Sequence, residues 1–86
     1  MYFVYVLKNM KGECYYGYTN DLDRRISEHN KEEKWRIVYY EAYFSEKDAR
    51  GREQKLKNYG KTTTELYKRI RNSLDQIDNG AGYKKI

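Results

Sequence analysis

The chain reads as an α+β domain of element order ββαβαα, its helices packed on a small sheet. Three features predict this. Residues 2–19 and 35–44 are rich in aromatic and β-branched side chains, helical apolar spacing dominates at about 21–30 and from 46 onward, and turn or capping residues stand at the joints.

The first strand covers residues 2–8. Phe3, Tyr5 and Leu7 occupy one alternating face and Tyr2, Val4 and Val6 the other, so both faces are apolar, as in a strand covered on both sides. Asn9-Met10-Lys11-Gly12 is turn chemistry, with Gly12 able to take a positive φ. Residues 13–19 return as the second strand of a hairpin. Asn20 stands where a cap is needed, and Asp21 and Asp23 favour the first turn of helix one, about 21–30. Leu22, Ile26 and His29 supply its stripe. Lys31–Lys34 is a charged connector, and residues 35–44 form the third strand. Ser45-Glu46-Lys47-Asp48 resembles a capping box that opens helix two, running to about Asn58. Tyr59-Gly60-Lys61 breaks that helix. Thr62 and Glu65 offer a second capping box, and Leu66, Ile70, Leu74 and Ile77 make the stripe of helix three. The expected domain is 1–77, with 78–86 an aperiodic, disordered tail.

Eighty-six residues make one modest core, and with 38% hydrophobic against 36% charged residues that core must come from a few positions. The eleven tyrosines help, since each buries a large ring while its hydroxyl stays hydrogen-bonded or wet. A single cysteine, Cys14, cannot close an internal disulfide, which fits a reducing compartment, and nothing points to a zinc site. No apolar run is long enough to span a bilayer and no signal peptide is evident, so a soluble, cytoplasmic protein is expected.

The net charge of +5 is unevenly placed. Residues 1–45 carry seven basic and seven acidic side chains, whereas residues 46–77 carry nine against five, a net of +4. A cationic second half suits a polyanion, because neutralised phosphates release counterions. The alternative is a solvated helix face.

Candidate chemistry concentrates in the first thirty residues and in helix two. Tyr5 and Tyr15 lie on strands that the hairpin brings side by side. Arg25 and His29, at i and i+4, share a face of helix one that Leu22 and Ile26 turn toward the sheet. Phenol, guanidinium and imidazole together suit phosphodiester cleavage. A packed core histidine is the plainer reading of His29. Arg24 points elsewhere and reads as a phosphate-backbone contact or a solvated charge. Gly17 weakens the second strand unless something approaches its backbone, either substrate or a closely packed helix. Glu53 lies between Ala49 and Leu56 on the buried stripe of helix two, so its carboxylate faces the sheet. A carboxylate there needs a partner. It is either salt-bridged, for instance to Arg25, or a ligand for a divalent metal completed by substrate phosphate oxygens.

These residues make the chain resemble the GIY-YIG nuclease superfamily, and within it the small, stand-alone bacterial domains related to the N-terminal nuclease domain of the bacterial excinuclease. The first motif stands as Phe3-Val4-Tyr5 and the second as Tyr15-Tyr16-Gly17, followed by a matching run to Arg25 and by His29. Trp35–Ala42 matches the third strand and Asp48-Ala49-Arg50-Gly51-Arg52-Glu53 the metal-binding helix, so the resemblance covers about 2–74. It implies a three-stranded antiparallel sheet flanked by helices with one active site on its face. There Tyr5 would act as base or positioner of the attacking water, Tyr15 would orient water or phosphate, and Arg25 would stabilise the transition state. His29 would shuttle a proton or contact phosphate, and Glu53 would hold Mg²⁺ or Mn²⁺, with Gly17 contributing backbone. Asn72 lies opposite the apolar stripe of the last helix and receives no role.

The expectation is a metal-dependent endonuclease that hydrolyses DNA phosphodiesters, in repair or processing, with branched or damaged DNA among its substrates. Arg24, Arg50, Lys57, Lys61 and Arg69 are the expected DNA-backbone contacts. Relatives carry a longer basic loop where this chain has only residues 31–34. That leaves open a nucleic-acid-binding module without turnover, and a tyrosine-rich scaffold for a protein partner is a third reading.

Overall fold

The computed structural model describes residues 1–31 and 33–78, in which the chain forms β1 (Tyr2–Asn9), β2 (Cys14–Thr19), α1 (Leu22–His29), β3 (Trp35–Tyr43), α2 (Glu46–Asn58), α3 (Gly60–Arg69) and α4 (Arg71–Asp78). The strands make one antiparallel sheet of order β2-β1-β3, as expected for this fold class. The central strand is β1, which explains its apolar residues on both faces: Val4, Tyr5, Val6 and Leu7 are all fully buried. No described helix is long and apolar enough to cross a membrane.

Alternation along β1 separates two environments. Val4 and Val6 enter a core with Ala49, Leu56, Leu66 and Ile70, against which Tyr16, Tyr18, Tyr39, Tyr43, Tyr67 and Leu74 pack. On the opposite side Tyr5 pairs across the sheet with Gly17 and Tyr40, and α1 lies there, its His29 against the Tyr5 ring. A bulge in β3 at Val38, between the pairs Val6–Tyr39 and Leu7–Ile37, shifts the register at the end nearest α1.

The hairpin turn is held by a nearly buried Asn9. Its side-chain oxygen accepts from the Lys11 and Glu13 amides, and its Nδ2 donates to Glu13 Oε1 and Glu33 Oε1, both at 2.8 Å. Gly12 takes φ 87°, the positive value its place in the turn requires.

The caps differ partly from expectation. Asp21, not Asn20, caps α1, accepting from the Arg24 amide while the Asp21 amide donates to Thr19 Oγ1. Ser45 caps α2 through the Asp48 amide, as its sequence position predicts. The Thr62–Glu65 capping box does not form. Tyr59 alone interrupts the chain, in an extended conformation, and α3 starts at Gly60. Thr63 instead donates its hydroxyl to the Leu56 carbonyl at 2.8 Å, tying α3 to the end of α2. The single third helix is divided at Ile70, whose φ of −109° departs from helical values. Backbone hydrogen bonds still pass through it, from Ile70 to Leu66 and from Leu74 to Ile70, so the apolar stripe survives the bend. Asp78, expected in the tail, ends α4 and pairs with Lys8 at 2.6 Å; residues 79–86 lie outside the described residues.

Candidate active site

One cleft of roughly 360 Å³ gathers side chains from β1, β2, α1 and α2: Tyr5, Tyr15, Arg24, Arg25, Glu46 and Glu53 all line it. Gly17 forms part of its wall. A Cβ there would lie 2.6 Å from Tyr5 Cζ and closer still to the hydroxyl oxygen. Within the chain, the group that approaches the Gly17 backbone is the Tyr5 phenol rather than a helix. Gly17 is the space in which Tyr5 lies flat across β2.

Tyr5 is buried, and its hydroxyl oxygen stands 3.4 Å from His29 Nε2, the proton's position depending on the imidazole tautomer. Burial, followed by the neighbouring Tyr15, pushes the phenol up to about 12, against the opposing pull of the Arg25 guanidinium. The Tyr5 hydroxyl is accordingly neutral at physiological pH. Burial and then Arg25 hold the His29 imidazole below its ordinary value of 6.5, so it is neutral there too and offers one ring nitrogen as an acceptor.

Rings brace this pair. Tyr15 stacks beside Tyr5 with centroids 6.3 Å apart and lies 4.4 Å from the His29 ring. Trp35 closes the group edge-on to Tyr15 and His29, at 6.2 and 6.3 Å. Its amide donates to Asn30 Oδ1 just past the end of α1, which fixes where β3 starts relative to that helix.

Arg25 reaches the cleft from α1. Its Nε lies 3.5 Å from Glu28 Oε1, an ion-pair contact, yet this buried nitrogen makes no hydrogen bond among the described residues. What Arg25 offers the cleft is a permanently charged guanidinium, the group suited to an anionic ligand. Glu53 lines the cleft from α2 with its side chain 14% exposed, while Ala49 and Leu56 on either side of it are buried, as the spacing predicts. It is salt-bridged to Lys57 one turn on, at 3.4 Å, rather than to Arg25, one partner the sequence allows. The Glu53 carboxylate, with Glu46 elsewhere on the same polar cleft, fits a hard divalent cation that keeps waters and takes phosphate oxygens as further ligands. Among the described residues no group of three or more His, Cys, Asp or Glu side chains could enclose a metal by itself. A divalent ion held by Glu53 would therefore need water or substrate oxygens to complete its ligands.

The expected backbone contacts scatter. Arg24, assigned a direction away from the sheet, is exposed but lines the same cleft as Arg25. Lys57 stands beside Glu53, with its Nζ 5.9 Å from the Tyr15 ring centroid. Arg50 and Lys61 are exposed away from the cleft lining, and Arg69 borders a separate groove with Tyr39, Tyr43 and Arg52. Asn72 is exposed on α4, in keeping with its place opposite the stripe. Two members of the site escape the sequence reading. Glu46 was legible, being two helical turns before Glu53 on the same face. Trp35 was not, because its contact with Tyr15 and His29 depends on how the connector returns the chain.

A three-stranded antiparallel sheet flanked by helices, with a polar cleft against it, is the architecture of a GIY-YIG-type domain. The chain belongs to that family: the GIY-YIG catalytic domain matches residues 1–65. A UPF0213 protein of Bacillus pumilus (strain SAFR-032) is 32% identical over 75 residues, 77% of this chain and 76% of its own length. A UPF0213 protein of Staphylococcus aureus (strain Mu3 / ATCC 700698) is 31% identical over 67 residues, 67% of this chain and 82% of its own. No solved structure matches the chain at comparable significance. Membership in this family supports a nuclease-type function acting on nucleic acid.

Proposed function

We propose that the protein is a divalent-metal-dependent endonuclease that hydrolyses DNA phosphodiesters, in DNA repair or processing. The observation that carries this reading is the meeting of Tyr5, Arg25 and Glu53 at one cleft, with no apolar packing role for Glu53.

In this reading Glu53 holds Mg²⁺ or Mn²⁺, which when bound polarises the phosphoryl oxygen and offsets developing negative charge. The neutral Tyr5 hydroxyl positions the attacking water. A proton leaving that water passes toward His29 Nε2, 3.4 Å from the Tyr5 oxygen, which favours a positioning and relay role for Tyr5 over that of a free phenolate base. Arg25 donates to the non-bridging oxygens as charge builds on them. Tyr15 keeps the Tyr5 and His29 rings in register and presents its own half-exposed edge to water or phosphate. Arg24, at the cleft mouth, contacts the backbone of the strand being cut.

The reading is tested by incubating the protein with branched, flapped, single-stranded and duplex DNA in Mg²⁺ or Mn²⁺, beside Glu53→Ala. Cleavage of at least one substrate that needs both the metal and Glu53 is expected. Binding with no metal-dependent cleavage of any would instead establish the binding-module alternative.

A further inference from the structure

The Glu53–Lys57 pair carries a consequence for how a cation reaches the cleft. Glu53 precedes Lys57 by four residues on α2, the favoured order for such a pair, and Lys57 Nζ lies 3.4 Å from Glu53 Oε2. The side chains are unequally wet, Lys57 at 45% exposure and Glu53 at 14%. A carboxylate so far withdrawn from water needs a countercharge, and Lys57 supplies it in the metal-free protein. A divalent cation on the same carboxylate would place a second positive charge beside the ammonium, and like charges at that range repel. A second seat for the ammonium lies close by, since Nζ is already within 5.9 Å of the Tyr15 ring centroid, inside cation–π range.

We propose that Lys57 is a positioning residue that holds the Glu53 carboxylate at the cleft in the metal-free protein and competes with the divalent cation for it. Metal entry then releases the ammonium toward the Tyr15 ring and the substrate phosphates. The inference rests on Glu53 as metal ligand.

The test is Mn²⁺ binding to the whole protein without DNA, followed by the loss of the free-ion electron paramagnetic resonance signal. The set comprises the natural protein, Lys57→Met, Lys57→Arg, Glu53→Gln and the Glu53→Gln/Lys57→Met double variant. Removing a partly exposed competitor should tighten Mn²⁺ binding by up to about fivefold in Lys57→Met, the scale of a surface ion pair. Lys57→Arg, which keeps the charge, should bind as the natural protein does. The gain should vanish on the Glu53→Gln background, where binding itself is lost. Unchanged or weaker binding by Lys57→Met, with Glu53→Gln inactive in binding, overturns the role of Lys57 alone. Mn²⁺ binding that survives Glu53→Gln overturns the metal assignment and this inference with it.

Discussion

At the scale of single residues, Tyr5 and Gly17 behave as one unit. The buried phenol fits only because position 17 has no Cβ, so Gly17→Ala forces either the ring or β2 to move. Overpacking of this kind costs about 1–3 kcal/mol. Gly51, inside α2 with nothing within 4 Å of where a Cβ would stand, gives the opposite sign. Gly51→Ala should stabilise by roughly 0.5–1 kcal/mol through helix propensity. Chemical denaturation of the two variants checks both signs together. His29 supports a second expectation. Its folded pKa lies below 6.5, so below neutrality the unfolded chain takes up the proton first. The stability it contributes is complete above about 6.5 and is lost as pH falls below that value toward the folded pKa. It is the single histidine of the chain, so its ring protons titrate unambiguously by NMR. The midpoint should fall below 6.5 and rise when Arg25→Gln removes the nearby positive charge.

At the scale of elements, α2 does two things at once. Ala49 and Leu56 pack into the core, Glu46 and Glu53 turn to the cleft, and Arg52 clamps β3. Arg52 donates through Nε and Nη2 to both oxygens of Glu41 at 2.9–3.1 Å, and Tyr39 and Tyr43 donate their hydroxyls to the same carboxylate. Burial pushes the Glu41 carboxyl up, but the hydrogen bonds from Arg52, Tyr43 and Tyr39 outweigh it and hold the group below its ordinary value. Arg52→Ala should therefore destabilise by about 1–3 kcal/mol, the scale for losing charge-assisted hydrogen bonds to a largely buried carboxylate that keeps only its two tyrosine donors. The effect should be full above pH 4.5, the ordinary value, and fade as pH drops through the lowered one. Thermal melts at neutral and acid pH measure this. The clamp was invisible in the sequence, since Arg52 and Glu41 lie eleven positions apart and belong to different elements. What periodicity could fix, it fixed: the both-sided burial of β1, the Ser45 cap, and Glu53 between two buried residues. Failures came where a side-chain bond to a neighbouring element or turn overrode the capping signal. Thr63 bonds back to α2 rather than joining a capping box, and Asp21 displaces Asn20 as cap because Thr19 anchors its amide.

At the scale of the whole molecule, the charge of the second half and the cleft answer different questions. Residues 46–77 carry the +4 balance, yet Arg50, Lys61 and Arg69 stand apart from the cleft lining. DNA bound by this surface should show affinity falling steeply with salt on a log–log plot, and each Lys or Arg contact removed should flatten the slope by about one unit. Fluorescence anisotropy over a salt series checks this, and a salt-independent interaction would favour the protein-scaffold reading, for which Tyr40 and Phe44 provide exposed aromatic surface. Family membership was legible because its motifs are local runs of sequence. The edge-on packing of Trp35 against Tyr15 and His29 was not, because it is set by where β3 begins. The most direct test of the central claim, that the cleft is catalytic and not merely packed, is DNA cleavage measured beside melting temperature for Tyr5→Phe and Arg25→Lys. Tyr5→Phe keeps the buried ring, and Arg25→Lys keeps the charge while losing the planar fork. Both variants should melt close to the natural protein and cleave roughly a hundredfold more slowly, the usual scale for losing a proton-transfer or transition-state donor group. Full cleavage by a folded Tyr5→Phe protein, or losses only in proportion to unfolding, would contradict the account.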